Sequence, residues 1–305
     1  MAGELKNSVK GEGQELAIAN ALWPQAGLKL LPDFLSLIQD NYGKEINPLD
    51  FCEEESSRQA INSWVAERTR ERIRDLIPSG FLKCETRLVL TNAVYFLGEW
   101  THKFDPKKTS PDTFFSAPGR EVKTRFMNQT GSFAFAEAED CQVLEMPYQG
   151  RRLVMTILLP KSKDGLAALE SRLDEKRLEE LVSGLKPRQV ELSLPRFQME
   201  ARFDLVRTLV AAGMGRACSA QADLSGMTGQ KNLYIGSVVQ KTWLRVEEKG
   251  TEAAAATAVM VRLTSAAKPR EPVVFKADHP FLFLIRDKLT GAVLFMGRLI
   301  EPEAV

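Results

Sequence analysis

Residue types that perform catalysis are sparse in this chain of 305 residues. His102 and His279 are its only histidines, and a hydrolase triad would need one of them beside a serine and an acid. No G-x-S-x-G sequence, which would present a nucleophilic serine on a tight turn, accompanies them. We therefore expect structural roles for both histidines and no enzymatic turnover.

Cysteine spacing gives no metal signature. The four cysteines lie far apart and form no C-x-x-C pair, whereas metal sites usually show short, regular spacings. They are Cys52, Cys84, Cys141 and Cys218. Their simplest interpretation is buried or inert thiols, with a disulfide left open. Gly11-Glu-Gly13 lacks the third glycine and the preceding strand of a dinucleotide loop, so we expect no metal and no cofactor.

A run near the C-terminus, Glu247 to Ser265, has a pattern with a different chemical consequence. Its four consecutive alanines favour a helix on propensity alone. Its alternation favours a strand, because the charges of Glu252 and Arg262 fall on even positions. From Thr251 onward the odd positions are all small or apolar: Thr251, Ala253, Ala255, Thr257, Val259, Val261 and Leu263. Such a segment, following the flexible Gly250, could slide between two existing strands; the alternative is an Ala-rich surface helix or linker.

Composition excludes several classes of function. Charge nearly cancels, with 41 basic and 40 acidic residues, so we expect no nucleic-acid partner. No apolar run approaches the roughly 18 residues of a membrane helix, so we expect no membrane partner. The N-terminus lacks the apolar core of a signal peptide. As written the chain would stay in the cytoplasm, whereas a start further upstream would allow secretion, so the compartment stays open.

The elements that must position the C-terminal run are mixed helices and strands. Arg87–Phe96 is apolar at both parities, which predicts a central strand covered on both faces. An amphipathic helix is predicted from about Ser57 to Ile77. Phe281–Arg286 and Ala292–Leu299 are predicted to form a hairpin. Because no βαβ rhythm or internal boundary is present, the fold class is α+β, in a single domain over residues 1–305.

Several motifs, in order along nearly the whole chain, resemble the serpin family and are most similar to its bacterial members. They are Leu90–Trp100, Leu144–Tyr148, Leu192–Phe197, Ala222–Met227, Ala277–Phe283 and Leu294–Arg298, together with the run from Glu248. The resemblance implies a large, mostly antiparallel central sheet A, smaller sheets B and C, and surrounding helices. It also implies an exposed reactive-centre loop at about residues 248–272.

The resemblance assigns roles to individual residues. Asn92 falls at the position called the shutter, and Trp100 at the breach, where the loop first enters sheet A. Gln240 stands where members usually carry a shutter histidine, and its amide is able to hydrogen-bond Asn92 in place of that histidine. The loop hinge comprises Glu248, Gly250, Thr251, Glu252, Ala253, Ala254, Ala255, Ala256, Thr257 and Ala258.

The function implied by this resemblance is inhibition of a serine protease by covalent trapping. The protease attacks the loop and is acylated, and the cleaved loop then inserts into sheet A. The family's usual loop length places the reactive bond at Thr264–Ser265, which suits an elastase-like or subtilisin-like protease. The rival bond, Arg262–Leu263, suits a trypsin-like protease. We expect a monomer.

One departure from the family supports an alternative function. The family's first helices should precede Glu15, and we expect them to be absent from this chain. Either the start of the chain lies further upstream than written, or the product is a non-inhibitory serpin-fold binding protein or an inactive truncated fragment. The small hinge residues favour the first explanation and an inhibitor, whereas the missing helices favour the second.

Overall fold

The structure, a computed structural model, describes residues 14–42, 46–251 and 271–303. Its contacts divide the chain into two compact units. Unit 1 is built mainly from Glu15–Phe96 and Met199–Leu244, and unit 2 mainly from Leu97–Gln198 and the chain from Arg245 onward.

Strands dominate the described residues. The strands are β1 (Gln14–Pro24), β2 (Leu88–Glu99), β3 (Ser110–Ala117), β4 (Arg120–Glu137), β5 (Cys141–Pro147), β6 (Leu153–Pro160), β7 (Lys186–Pro195), β8 (Phe197–Asp204), β9 (Val238–Glu247), β10 (Gly250–Thr251), β11 (Val273–Lys276), β12 (Phe281–Asp287) and β13 (Val293–Leu299). The helices are α1 (Pro32–Tyr42), α2 (Glu54–Arg68), α3 (Leu166–Arg172), α4 (Glu175–Ser183), α5 (Val206–Leu209) and α6 (Ser225–Thr228). Mixed helices and large, open sheets confirm the α+β class.

The first sheet has five strands in the order β1-β2-β10-β9-β8. In unit 1, β2 and β9 are parallel neighbours, with Leu90 opposite Val238 and Tyr95 opposite Trp243. The apolar sequence of β2 predicts a covered strand, and its odd positions from Val89 to Tyr95 are buried. Its even positions from Leu88 to Val94 are half-buried, so only one face is fully covered in this stretch.

The second sheet has eight strands, in the order β11-β7-β4-β5-β6-β12-β13, with β3 paired to β4. The expected smaller sheets B and C are continuous here because one long strand, β4, takes part in both. β4 pairs with β3 along its first half and with β5 along its last four residues. The predicted hairpin is present as β12 and β13, which pair antiparallel.

Helix α2 ends earlier than the sequence predicts, at Arg68 rather than near Ile77. Ile73 and Ile77 are nevertheless buried, because the chain turns back and packs them without helical geometry. Both atoms of the Asn62 side-chain amide bond to the Ile77 backbone at 2.9 Å, satisfying its polar groups. We name residues 54–83, which comprise α2 and this return, the crossing segment.

The helical sequence pattern of Leu166–Leu185 is divided between α3 and α4, because Asp174 accepts a hydrogen bond from the backbone N–H of Arg177 and begins a new helix. The helix that the sequence pattern indicates over Phe203–Gly213 begins later, because β8 continues to Asp204; α5 is then followed directly by a π-helix over Val210–Met214.

Two of the four cysteines are bonded. Cys52 and Cys84 form a disulfide that joins positions 32 residues apart. Cys141 and Cys218 are free thiols. Burial raises the pKa of the Cys141 thiol to about 11, so this residue is inert at neutral pH. The sequence left a disulfide open, and the structure assigns it to the pair that flanks the crossing segment.

Candidate functional site

The candidate site begins in unit 1, at the boundary between the parallel strands β2 and β9. We call this boundary the seam; it runs from the pair Leu90–Val238 to the pair Tyr95–Trp243. Parallel neighbours leave a place for one antiparallel strand between them only if they separate by one strand spacing, about 4.8 Å. The side chains that join the two strands across the seam therefore determine how readily a third strand is admitted.

Three amides form a chain across the strands of unit 1. Gln240 donates from Nε2 to Oδ1 of Asn92 at 2.8 Å, and Asn92 donates from Nδ2 to Oδ1 of Asn20 on β1 at 2.6 Å. The hydrogen bond expected between Gln240 and Asn92 is therefore present. Amides do not titrate in the physiological range, so this link holds β1, β2 and β9 together independently of pH.

In unit 2 a short strand lies between the ends of β2 and β9. β10 pairs antiparallel with β2, where Thr251 is opposite Gly98, and antiparallel with β9, where Thr251 is opposite Val246. Only Gly250 and Thr251 belong to β10. The first two residues after the turn at the end of β9 thus already occupy a central strand position.

Glycine is required at position 250 by close approach of the backbone. A Cβ atom built at Gly250 would lie 2.0 Å from the carbonyl oxygen of Gly98 and 2.6 Å from Cα of Glu99. Both atoms belong to backbone, so no side-chain rotation relieves the overlap. Any larger residue at this position would push β10 away from β2.

Thr251 is anchored by an aromatic pair in unit 2. Its side chain is fully buried, and Oγ1 shares a hydrogen bond of 2.8 Å with the Tyr148 hydroxyl. The Tyr148 ring stacks on Trp100, with centroids 4.5 Å apart. Burial raises the pKa of the Tyr148 phenol, so the hydroxyl keeps its proton throughout the range in which the protein would act.

The turn that connects β9 to β10 is held through its backbone. Nε1 of Trp100 donates to the carbonyl of Glu247 at 2.9 Å, and the Trp100 backbone N–H donates to the carbonyl of Lys249 at 2.9 Å. The backbone N–H of Phe104 donates to the backbone carbonyl of Glu248 at 2.9 Å. Trp100 therefore positions the turn between β9 and β10 directly.

Charge also fixes this turn. The buried carboxylate of Glu248 accepts a hydrogen bond of 2.8 Å from the Thr109 hydroxyl and lies 3.6 Å from Nε of Arg196. Glu247 lies 3.2 Å from Nε of Arg245 and 3.7 Å from the Arg196 guanidinium. Arg196 thus contacts both carboxylates, which keeps two adjacent negative charges compatible in a partly buried position.

The structure places only part of the predicted site. Asn92, Trp100, Gln240, Glu248, Gly250 and Thr251 are described, whereas the remaining hinge positions Glu252, Ala253, Ala254, Ala255, Ala256, Thr257 and Ala258 lie outside the described residues. Both alternative reactive bonds, Thr264–Ser265 and Arg262–Leu263, also lie outside them. Asn92 and Gln240 are brought together in unit 1, and the other described residues in unit 2.

Sequence reasoning missed several residues of this site. Tyr148 contacts β10, Thr109 and Arg196 contact the turn before it, and Asn20 extends the amide chain. Tyr148 and Arg196 lie inside motifs that resemble the serpin family, but a motif does not say which side chain contacts Glu248 or Thr251. Thr109 lies 139 residues from its partner Glu248, so no local pattern predicts that pair.

The two histidines have different surroundings. His279 is buried, with Nε2 at 2.7 Å from the carbonyl of Pro160 and Nδ1 at 2.8 Å from Asp278, and His102 is exposed. Within the described part of the chain, His, Cys, Asp and Glu form no group of three that could hold a metal. Within the same residues, no helix is both long and apolar enough to cross a membrane.

Comparison with protein families identifies the architecture. A family profile described as Serpin (serine protease inhibitor) matches residues 1–302. The chain belongs to the serpin family. A serpin-like protein of Thermococcus kodakarensis is 41% identical over 298 residues, which cover 97% of this chain and 68% of the relative. The leukocyte elastase inhibitor of Bos taurus is 40% identical over 302 residues, covering 96% of this serpin and 79% of the inhibitor.

A solved structure gives the same assignment. Human thyroxine-binding globulin in complex with thyroxine superposes with a TM-score of 0.87 at 30% identity, covering 98% of this serpin and 79% of that chain. Fold and family are therefore shared between a protein named for inhibiting elastase and a protein named for binding thyroxine. The family alone does not decide between these two kinds of activity.

Proposed function

We propose that this serpin inhibits a serine protease by covalent trapping, with insertion of the cleaved loop between β2 and β9. In this function residues 1–305 would act as one serpin domain. The observation that carries it is β10, which already lies antiparallel between the ends of the two parallel strands. A strand that grew from β10 would need only to continue in the same direction.

The register supports this path. Extended residue by residue from β10, the register on β2 puts Thr257 opposite Asn92, and the register on β9 puts Thr257 opposite Gln240. Asn92 and Gln240 are themselves opposite each other across the seam. The two strands therefore offer one consistent set of partners for an inserted loop, and the threonine would arrive at the amide pair that it has to separate.

The loop sequence suits this register. Thr251, Ala253 and Ala255 would lie opposite Gly98, Phe96 and Val94 of β2, and even positions Ala254, Ala256 and Ala258 would share the other face. Small side chains enter an existing sheet without the overpacking that larger ones cause. A segment of this composition favours insertion over a permanently exposed loop.

Insertion would provide the driving force for trapping. About a dozen new backbone hydrogen bonds, at roughly 1 kcal/mol net each, contribute on the order of 10 kcal/mol. Burial of Val259 and Val261 adds to this. The uncleaved protein is then held by a kinetic barrier, and cleavage of the loop releases it.

For the reactive bond we propose Thr264–Ser265, with Arg262–Leu263 as the rival. Threonine before the bond suits a small specificity pocket, as in elastase-like and subtilisin-like proteases. The similarity to a leukocyte elastase inhibitor supports the same class of target. Arginine at position 262 would direct a trypsin-like protease to the rival bond.

The test is incubation with elastase, subtilisin and trypsin, followed by a denaturing gel and mass spectrometry of the released C-terminal fragment. We expect a covalent band with elastase or subtilisin and a fragment that begins at Ser265. Clean cleavage into two pieces with every protease would contradict trapping and favour a non-inhibitory binding protein or an inactive fragment.

A matched pair of variants separates insertion from simple cleavage. Ala255→Glu would place a carboxylate opposite Val94 and Thr242 in the inserted strand, so we expect cleavage without a covalent band. Lys268→Glu changes charge beyond the proposed bond and should leave the covalent band intact. Equal trapping by both variants would contradict insertion in this register.

A further inference from the structure

The crossing segment, residues 54–83, is tied together internally. Asn62 in α2 hydrogen-bonds the backbone of Ile77 in the return: Nδ2 donates to the Ile77 carbonyl, and Oδ1 accepts from the Ile77 N–H. At the base of the segment, the Glu54 carboxylate accepts a hydrogen bond from the backbone N–H of Gly80 at 2.6 Å. Because its two halves are joined at both places, the segment is expected to move as one block.

This block contacts strands on both sides of the seam in unit 1. On the β1 side, Trp64 packs edge to face on Trp23 with centroids 5.5 Å apart, and Arg70 pairs with Glu15. On the β9 side, the Arg72 guanidinium lies 5.2 Å from the centre of the Trp243 ring. There, Lys241 also donates from Nζ to the backbone carbonyl of Asp75 at 3.3 Å.

Separation of β2 and β9 changes the distance that the block spans. Admission of a strand widens the sheet at the seam by about 4.8 Å. A cation–π contact or a hydrogen bond does not survive a displacement of that size. The block must therefore release either its contacts to β1 or its contacts to Trp243 and Lys241 before the seam is open.

The disulfide lies at the ends of this block. Cys52 precedes α2 by two residues and Cys84 precedes β2 by four, and both are exposed to solvent. The neighbouring backbone is anchored beside the end of β1, where the Phe51 N–H donates to the Gln25 side chain and the Gln25 N–H donates to the carbonyl of Arg87. The closed disulfide thus fixes both ends of the block to the β1–β2 side of the seam.

We infer that the Cys52–Cys84 disulfide is a redox-sensitive clasp that slows the opening of the seam by holding the crossing segment on the sheet. This inference rests on the proposed function, because the opening matters only if a strand inserts there. A dithiol reductant opens the clasp: its two thiols transfer two electrons and two protons, the S–S bond breaks into two thiols, and the reductant becomes a disulfide. The reduced protein would insert its loop faster.

The test compares oxidised and reduced protein in a Cys218→Ser background. This substitution removes the partly exposed free thiol and leaves the buried Cys141. The reduced sample is treated with a dithiol and capped with iodoacetamide, and peptide mapping verifies both states. Hydrogen exchange of the amides in 88–95 and 238–243 measures opening of the seam without any protease. The rate of covalent complex formation is measured on the same samples.

We expect the rate of hydrogen exchange at the seam and the rate of trapping to rise about tenfold on reduction. This change is smaller than the stabilisation against complete unfolding that a disulfide closing a loop of this length provides, because only the seam opens. The double variant Cys52→Ser/Cys84→Ser should match the reduced protein and no longer respond to reductant. Alkylation of Cys52 and Cys84 in the absence of reductant would show that no disulfide is present and would overturn the inference. Identical rates of hydrogen exchange at the seam in the oxidised and reduced states would also overturn it.

The two proposals fail in different ways. Faster seam exchange on reduction without a covalent band in either state would support the clasp while contradicting trapping. Covalent trapping at the same rate in both states, with unchanged exchange, would support inhibition and overturn the clasp.

Discussion

At the residue scale, the candidate site depends on polar groups that are buried together with their partners. Thr251 and Tyr148 satisfy each other, and Glu248 is satisfied by Thr109 and Arg196. Resemblance to a family was enough to predict the contact between Asn92 and Gln240. It was not enough for Tyr148 or Thr109, because contacts across 103 and 139 residues depend on how the strands associate and leave no trace in local sequence.

The buried carboxylate of Asp287, paired with the half-buried Arg152, gives a prediction about pH. Hydrogen bonds from the Arg152 guanidinium, the shortest 2.7 Å, keep the pKa of the Asp287 carboxyl below its usual value, although burial opposes this. The carboxylate side chain is 0% exposed. A depressed pKa contributes stability that is present above the unfolded pKa, near 3.9, and is lost as the pH falls through the folded pKa.

We therefore expect Arg152→Met to lower the free energy of unfolding by about 2 kcal/mol at pH 7, because a buried carboxylate loses its cation. The difference from the wild type should shrink below about pH 4 as Asp287 becomes protonated. Urea unfolding at pH 7, 5 and 3 measures it. Arg298→Met removes an exposed pair and should change stability by less than about 1 kcal/mol. A difference for Arg152→Met that stays constant down to pH 3 would contradict this assignment.

At the element scale, hydrophobic patterning predicted the strands better than the helices. The apolar run of β2 and the β12–β13 hairpin follow from alternation and turn residues. Helix α2 was predicted too long because Ile73 and Leu76 continue the helical spacing of buried positions, although the chain reaches those positions by turning back. A spacing pattern reports which residues are buried, and not which backbone conformation buries them.

Strand β10 gives a prediction at this scale. Gly250→Ala would bring Cβ against backbone atoms of Gly98 and Glu99, so β10 would be displaced and Thr251 would lose its partner. We expect the free energy of unfolding to fall by about 1–3 kcal/mol and the yield of covalent complex to drop. Thermal unfolding and a stoichiometric titration with the protease measure both effects.

Gly226→Ala provides the matched control, because nothing lies within 4 Å of a Cβ at that position. It should leave both the unfolding midpoint and the yield of covalent complex close to those of the wild type. If the two variants behaved alike, β10 would not be the starting point of insertion.

At the scale of the whole molecule, the proposed function requires that the folded, uncleaved protein is not its most stable state. Family and fold follow from motifs spread along the chain, and a profile match over residues 1–302 confirms them. Metastability does not follow from those motifs, because it is a difference in free energy between two arrangements of one sequence.

Cleavage therefore should stabilise the protein. If residues 251–263 join the sheet after the bond Thr264–Ser265 is cut, the gain of about 10 kcal/mol should raise the unfolding temperature by about 15 °C. Calorimetry before and after limited proteolysis measures it, with Ala255→Glu as the variant that is cleaved but gains little. An unchanged unfolding temperature in the wild type would contradict insertion and, with it, trapping.

The position of Trp100 makes it a fluorescence probe of the turn between β9 and β10. The chain contains four tryptophans, and Trp100 alone among them belongs to unit 2, where its indole is stacked on a phenol and bonded to the carbonyl of Glu247. Fluorescence of a variant in which Trp23, Trp64 and Trp243 are replaced by Phe would come from this single indole. Its emission would report any change in the packing of residues 247–251 in real time, without an attached dye.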